Sequence, residues 1–366
     1  MKKLTAALLG LLLLWPATAR ADGWAEDGCY TVYREDGTVL FTFAGEVAQG
    51  DEYISADNQR YVIRSVQEQA RTAQAVWDGE QAMPDISWLD APAAVVVSAQ
   101  GEQSDRLIAL YATHSDESYE PTDGTASADD GDGGIYDVCD TLKAALEAQG
   151  VRVILDETSH VPHDAGAYRR SRQTAIELLK QGPDALIDVH RDGIPDPEEY
   201  EVEIDGEDAS KVRLLVGRSN QNADANKEFA LELKAVADSR YPELIKDIFI
   251  GKGSYNQDLA SNAILLEFGT HTLEKERAEA SAELMGGVIA DTLYGGVSGA
   301  ASGGEETQGE ANVGAVRGIV WLLVLVAAAI AVFALLQTGR GRAAWERIKR
   351  GTSELTAGWL GKRNKE

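Results

Sequence analysis

The sequence predicts an α/β fold whose main sheet is mostly parallel and is flanked by helices. From about Arg106 onward, apolar runs of strand length alternate with amphipathic stretches of helix length, which is typical of parallel sheets joined by crossover helices. Gly150 and Gly182 stand where two of these helices should end, because glycine readily adopts the conformation that closes a helix. The 366 residues are enough to bury a large core without disulfide support.

The predicted elements follow one another in a regular order. First, TVLFTFAG and RYVIRSV are predicted strands of a small β-rich N-terminal module, because turn-forming clusters such as EDGT and SADNQ lie beside them. No pattern in this module indicates catalysis. The later part predicts, in chain order, the strand LIALYATH, the helix DVCDTLKAALEAQG, the strand VRVILD, the helix SRQTAIELLKQG, the strand DALIDVH, the strand KVRLLVG, the helix ANKEFALELKAVADS and the strand NAILLEFG.

Two further apolar segments indicate export and a membrane anchor. Lys2 and Lys3 precede an apolar run that ends before Ala19-Arg20-Ala21, which is the layout of a secretory signal peptide cleaved after Ala21. Residues 318–337 contain no charged side chain and are long enough to cross a bilayer as one helix. Basic residues follow this span and a long acidic region precedes it, so we expect a cytoplasmic tail and an external catalytic domain at the cell membrane.

These segments divide the chain into six predicted parts. They are a signal peptide (1–21), the β-rich module with a connector (22–100), a catalytic domain (101–294), a flexible Gly/Ser/Ala-rich stalk (295–317), the transmembrane helix (318–337) and a basic cytoplasmic tail (338–366). The stalk is predicted to be flexible because its composition cannot bury enough apolar surface to order itself.

Charge and cysteine content exclude two classes of function. The formal net charge is −26 and the isoelectric point is about 4.6, so the chain repels polyanions and is not expected to bind nucleic acid. Cys29 and Cys139 form no CxxC pattern, which argues against a cysteine-based metal or redox site. Whether these two cysteines form a disulfide is left open by the sequence.

Polar residues follow three predicted strands at the point where each strand ends. His114 and Glu117 follow LIALYAT, His190 follows ALIDV, and Glu267 follows AILL. Active sites of open α/β sheets gather beyond the carboxyl ends of the strands. Two imidazoles and a carboxylate suit a catalytic Zn²⁺ with one open position, and Glu267 is then the predicted proton carrier. The sequence therefore predicts metal-dependent amide hydrolysis, although the same ligands could also hold manganese or iron.

Other residues near these strand ends leave alternatives open. The carboxylate ligand could be Asp116, or an acid of the following loop, instead of Glu117; the loop acids are Asp129, Asp130 and Asp132. His160 and His163 lie in a predicted loop before a helix. They are expected to support the metal ligands or the fold rather than to bind the metal. His271 follows Glu267 by four residues and is expected to shape the pocket.

With these residues identified, the chain resembles stage II sporulation protein P, a family of peptidoglycan hydrolases used in endospore formation. The similarity runs from about Ile108 to Glu276. It rests on LYATHSDESY, GVRVILDETSHVPHD, AYRRSRQTA, IDVHRD, VGRSNQNADAN and YNQDLASNAILLEFGTHTLEKE, in this order, and GDEYISADNQRYVI fits as well. The better-known members of the family are held by an N-terminal helix, so the predicted C-terminal anchor is a departure.

The resemblance implies an activity, a partner and a set of site residues. It implies cleavage of the amide between N-acetylmuramic acid and L-alanine, together with endopeptidase cleavage of stem cross-links. The implied partner is a lytic transglycosylase similar to stage II sporulation protein D, acting during engulfment. The matching positions are His114, Glu117, His190 and Glu267. Arg172, which could pair with the carboxylates of a peptide stem, and Asn256 are the predicted substrate-binding residues.

The same residues also fit two other functions. The ligand order His-x-x-Glu, a distant His and a late Glu also occurs in zinc carboxypeptidases, which would trim stem peptides from their C-termini. A wall-binding scaffold that has lost catalysis is the second alternative. Identification of the products released from peptidoglycan separates these functions.

Overall fold

A computed structural model describes residues 28–90, 106–164 and 166–295 of the chain. The strands are β1 (Tyr30–Tyr33), β2 (Val39–Phe43), β3 (Glu52–Ser55), β4 (Gln59–Gln67), β5 (Thr72–Glu80), β6 (Leu107–Tyr111), β7 (Arg152–Asp156), β8 (Ala185–Asp192), β9 (Glu201–Ile204), β10 (Glu207–Ser210), β11 (Val212–Gly217), β12 (Ile245–Gly251) and β13 (Ala263–Thr270). The α-helices of the described residues are α1 (Glu120–Asp123), α2 (Ile135–Ala148), α3 (Ala167–Leu179), α4 (Ala223–Arg240) and α5 (Lys275–Ala290).

The predicted segments for export and anchoring lie outside these ranges. The signal peptide (1–21), the transmembrane helix (318–337), the basic tail (338–366) and the predicted stalk from residue 296 onward are not among the described residues. Among the residues that are described, no helix is both long and apolar enough to cross a membrane.

Eleven strands form one continuous sheet in the order β2-β1-β5-β4-β3-β12-β11-β13-β8-β6-β7, and β9 and β10 form a separate hairpin. The α/β class is confirmed, and four of the five neighbouring pairs of this sheet among the strands from β6 onward are parallel, as predicted for this part of the chain. The sheet as a whole is mixed, because four of the five pairs that involve the N-terminal strands are antiparallel. Parallel strands need a long crossover, usually a helix. The segment between β12 and β13 contains no such helix, and β13 runs antiparallel to β11.

The N-terminal strands extend the main sheet. Strand β3 pairs antiparallel with β12, with Ile54 opposite Ile248 and Tyr53 opposite Phe249. The aromatic rings of Phe41, Phe43 and Phe249 lie in one buried cluster that joins both parts of the chain. The N-terminal strands therefore share a core with the strands that carry the predicted site.

Helices cover both faces of the part of the sheet that contains β6. Ile108 and Leu110 of β6 belong to a large core that also includes buried residues of α2, α4 and α5. The alternate residues, Ala109 and Tyr111, pack in a second core with Leu178 of α3. A strand that is buried on both faces is apolar at every position, which explains the continuous run LIALY.

The two cysteines are not paired with each other. Cys139 is fully buried in α2, whereas Cys29 lies beside a small cluster that contains Ile194. Burial, with a smaller contribution from the Asp192 carboxylate, raises the pKa of the Cys29 thiol to about 11. A thiol that stays protonated at neutral pH is a poor nucleophile.

Helices α2 and α5 pack closely at Gly286, and this contact makes a testable prediction. A Cβ at Gly286 would lie 2.4 Å from the Cβ of Ala145, whereas at the adjacent Gly287 the nearest atom is 3.9 Å away. Alanine gains about 1 kcal/mol of helix propensity over glycine, but overpacking costs about 1–3 kcal/mol. We expect Gly286→Ala to lower the free energy of unfolding and Gly287→Ala to raise it. Urea denaturation measures both, and equal effects of the two substitutions would contradict the packing described.

Candidate metal centre

The structure brings three predicted ligands together at the carboxyl ends of β6 and β8. His114 Nδ1 lies 3.2 Å from Glu117 Oε1, and His190 Nδ1 lies 3.3 Å from Glu117 Oε2. One donor atom from each residue falls within 4.8 Å of the others, and all three side chains are buried. Ligand atoms bound to a tetrahedral zinc at about 2.0–2.1 Å are roughly 3.3 Å apart. Two of the three spacings match those of a tetrahedral site, and the donor types suit a divalent metal ion.

A tight turn and a backbone contact fix the carboxylate of this cluster. The backbone N–H of Glu117 donates to the carbonyl of His114 at 3.0 Å, so both side chains leave the same turn after β6. The backbone N–H of Arg191 donates to Glu117 Oε2 at 3.0 Å. Because this contact comes from the residue next to His190, it ties the loop after β6 to β8.

The other acids considered as ligands either contact different side chains or are exposed. Both oxygens of Asp116 lie 3.1 Å from His163 Nδ1, and Ser127 donates a hydrogen bond to the same carboxylate. The loop acids Asp129, Asp130 and Asp132 are exposed. Of these candidates, Glu117 is the acid that contacts both histidines.

Electrostatics make the cluster favourable for a cation. Burial lowers the pKa of His114 to about 4, so its imidazole is neutral at physiological pH. Burial also acts to lower the pKa of His190, but the carboxylates of Asp188 and Glu117 outweigh it and raise the pKa to about 10. Although burial opposes it, the charges of His190 and Arg191 keep the pKa of Glu117 well below its usual range. A metal ion bound by His190 would take the place of a proton on its ring.

Asp188 lies within ion-pair distance of His190, and no sequence pattern used above pointed to it. Its Oδ1 lies 3.0 Å from His190 Nε2. The carboxylate also accepts hydrogen bonds from Thr113, at 2.8 Å from the backbone N–H and 2.6 Å from the hydroxyl. A carboxylate on the far nitrogen of a ligand histidine fixes the ring and its tautomer. The pattern D-x-H could have indicated this, since residues two apart share one face of a strand.

Glu267 lies in a row of ionisable side chains that crosses the sheet. It is opposite His190 of β8 on one side and Arg213 of β11 on the other, and Arg213 is in turn opposite Asp247 of β12. Burial raises the pKa of Glu267 well above its usual range, and the nearby carboxylate of Asp192 adds to this shift. A raised pKa brings a carboxyl group closer to the range in which it can both take and return a proton.

Arg213 is fully buried and holds this row together. Its guanidinium donates to Asp247 at 2.7 and 3.1 Å and to Asp192 at 2.7 Å, and its Nη1 lies 3.7 Å from Glu267 Oε2. The hydroxyl of Tyr200 is 2.8 Å from Asp192 Oδ2 and 3.3 Å from Glu267 Oε2. Arg213 therefore holds Glu267 from the neighbouring strand β11, whereas His190 of the metal cluster lies on the other neighbouring strand, β8.

A cleft of about 440 Å³, open to solvent, joins the cluster to Glu267. His114, His190 and Glu267 line it, and so does Phe43 from the end of β2. No sequence pattern in the N-terminal strands indicates chemistry, yet Phe43 at the end of β2 forms part of the wall of the site. An aromatic residue in an apolar strand gives no local signal of such a role.

The two predicted substrate-binding residues lie beside the cleft and do not line it. Arg172 forms two hydrogen bonds with Asp258, at 2.7 and 2.6 Å. The side-chain amide of Asn256 donates to Ser171 Oγ at 3.0 Å and to the carbonyl of Tyr168 at 3.2 Å. Ser171 contacts Thr113, which holds Asp188. Asn256 thus supports the residues behind His190, and a direct contact with substrate stays a prediction for both residues.

The remaining histidines differ in their surroundings. Both ring nitrogens of His160 have partners at 2.9 Å, the carbonyl of Ala112 and the hydroxyl of Thr174, which indicates a structural role. The ring of His163 stacks on that of His114, with 4.2 Å between the centroids. His271 lies at the end of β13, where its backbone N–H donates to the carbonyl of Asp192.

Comparisons with known proteins agree with the resemblance seen in the sequence. The profile of the family "Stage II sporulation protein P (SpoIIP)" matches residues 41–290. Stage II sporulation protein P of Bacillus subtilis (strain 168) is 27% identical over 266 residues, which cover 67% of this chain and 64% of the relative. The match thus spans less than two thirds of the relative's own length.

Among solved structures, similar chains are N-acetylmuramyl-L-alanine amidases. The amidase Ami1 of Mycobacterium smegmatis has a TM-score of 0.36 and 16% identity, with 52% of this chain and 96% of that chain covered. The CwlD amidase of Clostridioides difficile, solved in complex with the GerS lipoprotein, has a TM-score of 0.35 and 16% identity, with 53% and 98% covered.

The buried position of Arg213 makes a stability prediction. Arg213→Met would leave Asp247 and Asp192 buried without their cation, and removing one partner of a buried ion pair costs about 3–5 kcal/mol. Arg172→Met removes a partly exposed pair with Asp258 and should cost at most about 1 kcal/mol. Chemical denaturation of both variants measures the difference. Equal losses of stability would show that the row of charges does not support the fold.

Proposed function

The chain belongs to the stage II sporulation protein P family, and on this premise we propose that it is a zinc-dependent peptidoglycan hydrolase. The proposed reaction is hydrolysis of the amide between N-acetylmuramic acid and L-alanine. The observation that carries the proposal is that His114 and His190, which cluster with Glu117, line one cleft together with Glu267. Two imidazoles, one ligand carboxylate and one further carboxylate are what a zinc amide hydrolase needs.

Two carboxylates have different roles in this proposal because their surroundings push their pKa values apart. The pKa of Glu117 is well below its usual range, whereas that of Glu267 is well above it. Such a separation is typical of sites in which one acid stays ionised and the other transfers protons. Glu117 therefore acts as the metal ligand and Glu267 as the acid and base.

Glu267 moves the protons of the proposed reaction. A bound Zn²⁺ would polarise the scissile carbonyl and lower the pKa of a water molecule. Glu267 takes a proton from the attacking water as the oxygen bonds to the carbonyl carbon. It then gives that proton to the nitrogen as the carbon–nitrogen bond breaks. The products are a free carboxylic acid on the muramic acid side and a free amine on the alanine.

The proposed setting is the outer side of the cell membrane during engulfment in sporulation. The predicted signal peptide (1–21) would export the chain, and the predicted span (318–337) would hold it by a single helix with its tail in the cytoplasm. Peptidoglycan lies on the outer side, where the catalytic residues would then be. A lytic transglycosylase similar to stage II sporulation protein D is the proposed partner, since it would cut the glycan strands of the same polymer.

The proposed roles predict different effects for two substitutions. Glu267→Gln removes the proton carrier and should lower amide cleavage by about 10²–10⁴-fold, while zinc content stays that of the wild type. His190→Ala should lose both zinc and activity. Mass analysis of digested peptidoglycan shows whether stem peptides with a free L-alanine amine are released, and elemental analysis gives the zinc content. Release of these products by Glu267→Gln at the wild-type rate would disprove its role, and products of another kind would point to carboxypeptidase or endopeptidase activity.

The contact between Asp188 and His190 predicts an effect on metal affinity. Removing a carboxylate that orients a ligand histidine typically weakens metal binding by about 10–100-fold. We expect this loss for Asp188→Asn in competition with a zinc chelator. Asp258→Asn is the matched control, because Asp258 pairs with Arg172 and does not contact the cluster. Equal zinc affinities in the two variants would contradict the proposed role of Asp188.

A further inference from the structure

One end of the cleft is apolar and is walled by the N-terminal strands. Phe43, the last residue of β2, and the following Ala44 line the cleft together with Leu215 and Leu265. Leu265 precedes Glu267 by two residues, so both side chains lie on one face of β13. Leu215 is opposite Leu265 in the sheet, just as Arg213 is opposite Glu267. The apolar end therefore begins one step along the strands from the proposed proton carrier.

The wall that Phe43 forms is firmly held. Its ring is 4.4 Å from the ring of Phe249, and the guanidinium carbon of Arg213 lies 5.2 Å from its centroid. Arg213 Nη2 also donates to the carbonyl of Thr42 at 3.2 Å. Because Arg213 Nη1 lies 3.7 Å from Glu267, one side chain anchors both the wall and the catalytic carboxylate.

The chain turns back over the ring directly after Phe43. A Cβ at Gly45 would lie 2.6 Å from Cε1 of Phe43, a distance at which the ring would have to move. Only glycine fits this position without displacing the wall. The ring therefore has a fixed place between the backbone of Gly45 and the ring of Phe249.

Two tyrosines form the other side of the cleft. The rings of Tyr168 and Tyr255 meet edge to face, 5.5 Å apart, and the Tyr168 ring is 5.5 Å from that of His114. Tyr255 has a φ of 49°, in the left-handed region that a bulky residue rarely adopts. Strain of this kind persists where the surrounding structure holds it, and it is frequent at ligand sites.

We propose that the apolar end of the cleft binds the methyl side chain of the L-alanine whose nitrogen is released, and that Phe43 limits the size of this side chain. The inference rests on the proposed function, because it takes the scissile amide to lie between the cluster of His114, Glu117 and His190 and the carboxylate of Glu267. An amide held there has its amino-acid substituent beside Leu265 and Leu215. Phe43 is then a residue that determines specificity.

The lining of the apolar end favours a short aliphatic group. Phe43, Leu215 and Leu265 line this end, and the ring of Phe43 is held 4.4 Å from the ring of Phe249. The amide and the sugar-linked acyl group must share the cleft with the side chain. Because Phe43 closes this end of the cleft, we expect a methyl group to be accepted beside Leu215 and a leucine side chain to meet the ring of Phe43.

The test compares three small substrates with the full chain loaded with zinc. They are N-acetylmuramoyl-X-D-isoglutamine with X as L-alanine, glycine or L-leucine. Small apolar differences in a pocket change kcat/KM by about 10–200-fold, so the wild type should prefer L-alanine over both other residues by at least about tenfold. Phe43→Ala should lower the preference for L-alanine over L-leucine by about tenfold, chiefly by faster cleavage of the leucine substrate. Phe43→Leu, which keeps more of the apolar volume, should have a smaller effect of the same sign.

Phe41→Ala is the matched control for this test. Phe41 lies on the same strand and is as buried as Phe43, at 3% exposed, but it stacks on Tyr53 and does not line the cleft. We expect the Phe41→Ala variant to have the same ratios of kcat/KM between substrates as the wild type. Circular dichroism shows whether each variant is folded.

Three results would overturn the assignment of the pocket. The first is a wild type that cleaves the three substrates with equal kcat/KM. The second is an equal change, in Phe43→Ala and Phe41→Ala, of the ratio of kcat/KM between the L-alanine and L-leucine substrates. The third is a wild type that digests peptidoglycan but cleaves none of the three substrates, which would leave the proposed function standing as hydrolysis of the polymer. A wild type that digests neither peptidoglycan nor these substrates would remove the proposed function as well.

Discussion

The site depends on a buried row of charges that crosses four neighbouring strands. His190, Glu267, Arg213 and Asp247 stand opposite one another on β8, β13, β11 and β12. Each charge in such a row is costly to bury unless its neighbour compensates it. The positive charge of Arg213 is compensated by Asp247 and Asp192. Glu267 therefore keeps a raised pKa although the guanidinium of Arg213 lies beside it. The position of the proposed proton carrier is thus a property of the sheet and not of one loop.

The direction of three strands explains why the functional residues meet. Strands β13, β8 and β6 are adjacent and parallel, so their carboxyl ends lie at one edge of the sheet. His114, His190 and Glu267 lie at or just after these ends. The N-terminal strands reach the same cleft from the other side of β12, where Phe43 packs on Phe249. One continuous sheet therefore supplies both the polar and the apolar end of the cleft.

Local patterns in the sequence were enough to predict β6, β8 and β13 and the polar residues near their ends, but they did not predict β12. LIALY and ALIDV are buried on both faces, so each is recognisable as a run that stops at a polar residue. The pairing of β3 with β12 and the reversed direction of β11 depend on contacts far apart in the chain, which single-sequence patterns do not contain. Arg213 and Phe43 were missed for the same reason. A charge within KVRLLVG gives no sign that Asp247 will meet it in the core, and Phe43 looks like any strand aromatic.

Anomalous diffraction at the zinc edge from crystals of the zinc-loaded protein tests the position of the metal centre. We expect one strong peak at about 2.0–2.2 Å from the donor atoms of His114, Glu117 and His190. The same peak should remain in Glu267→Gln, because this carboxylate is not a ligand. A peak between Asp116 and His163, or bound zinc without a peak at the cluster, would contradict the assignment of the metal centre.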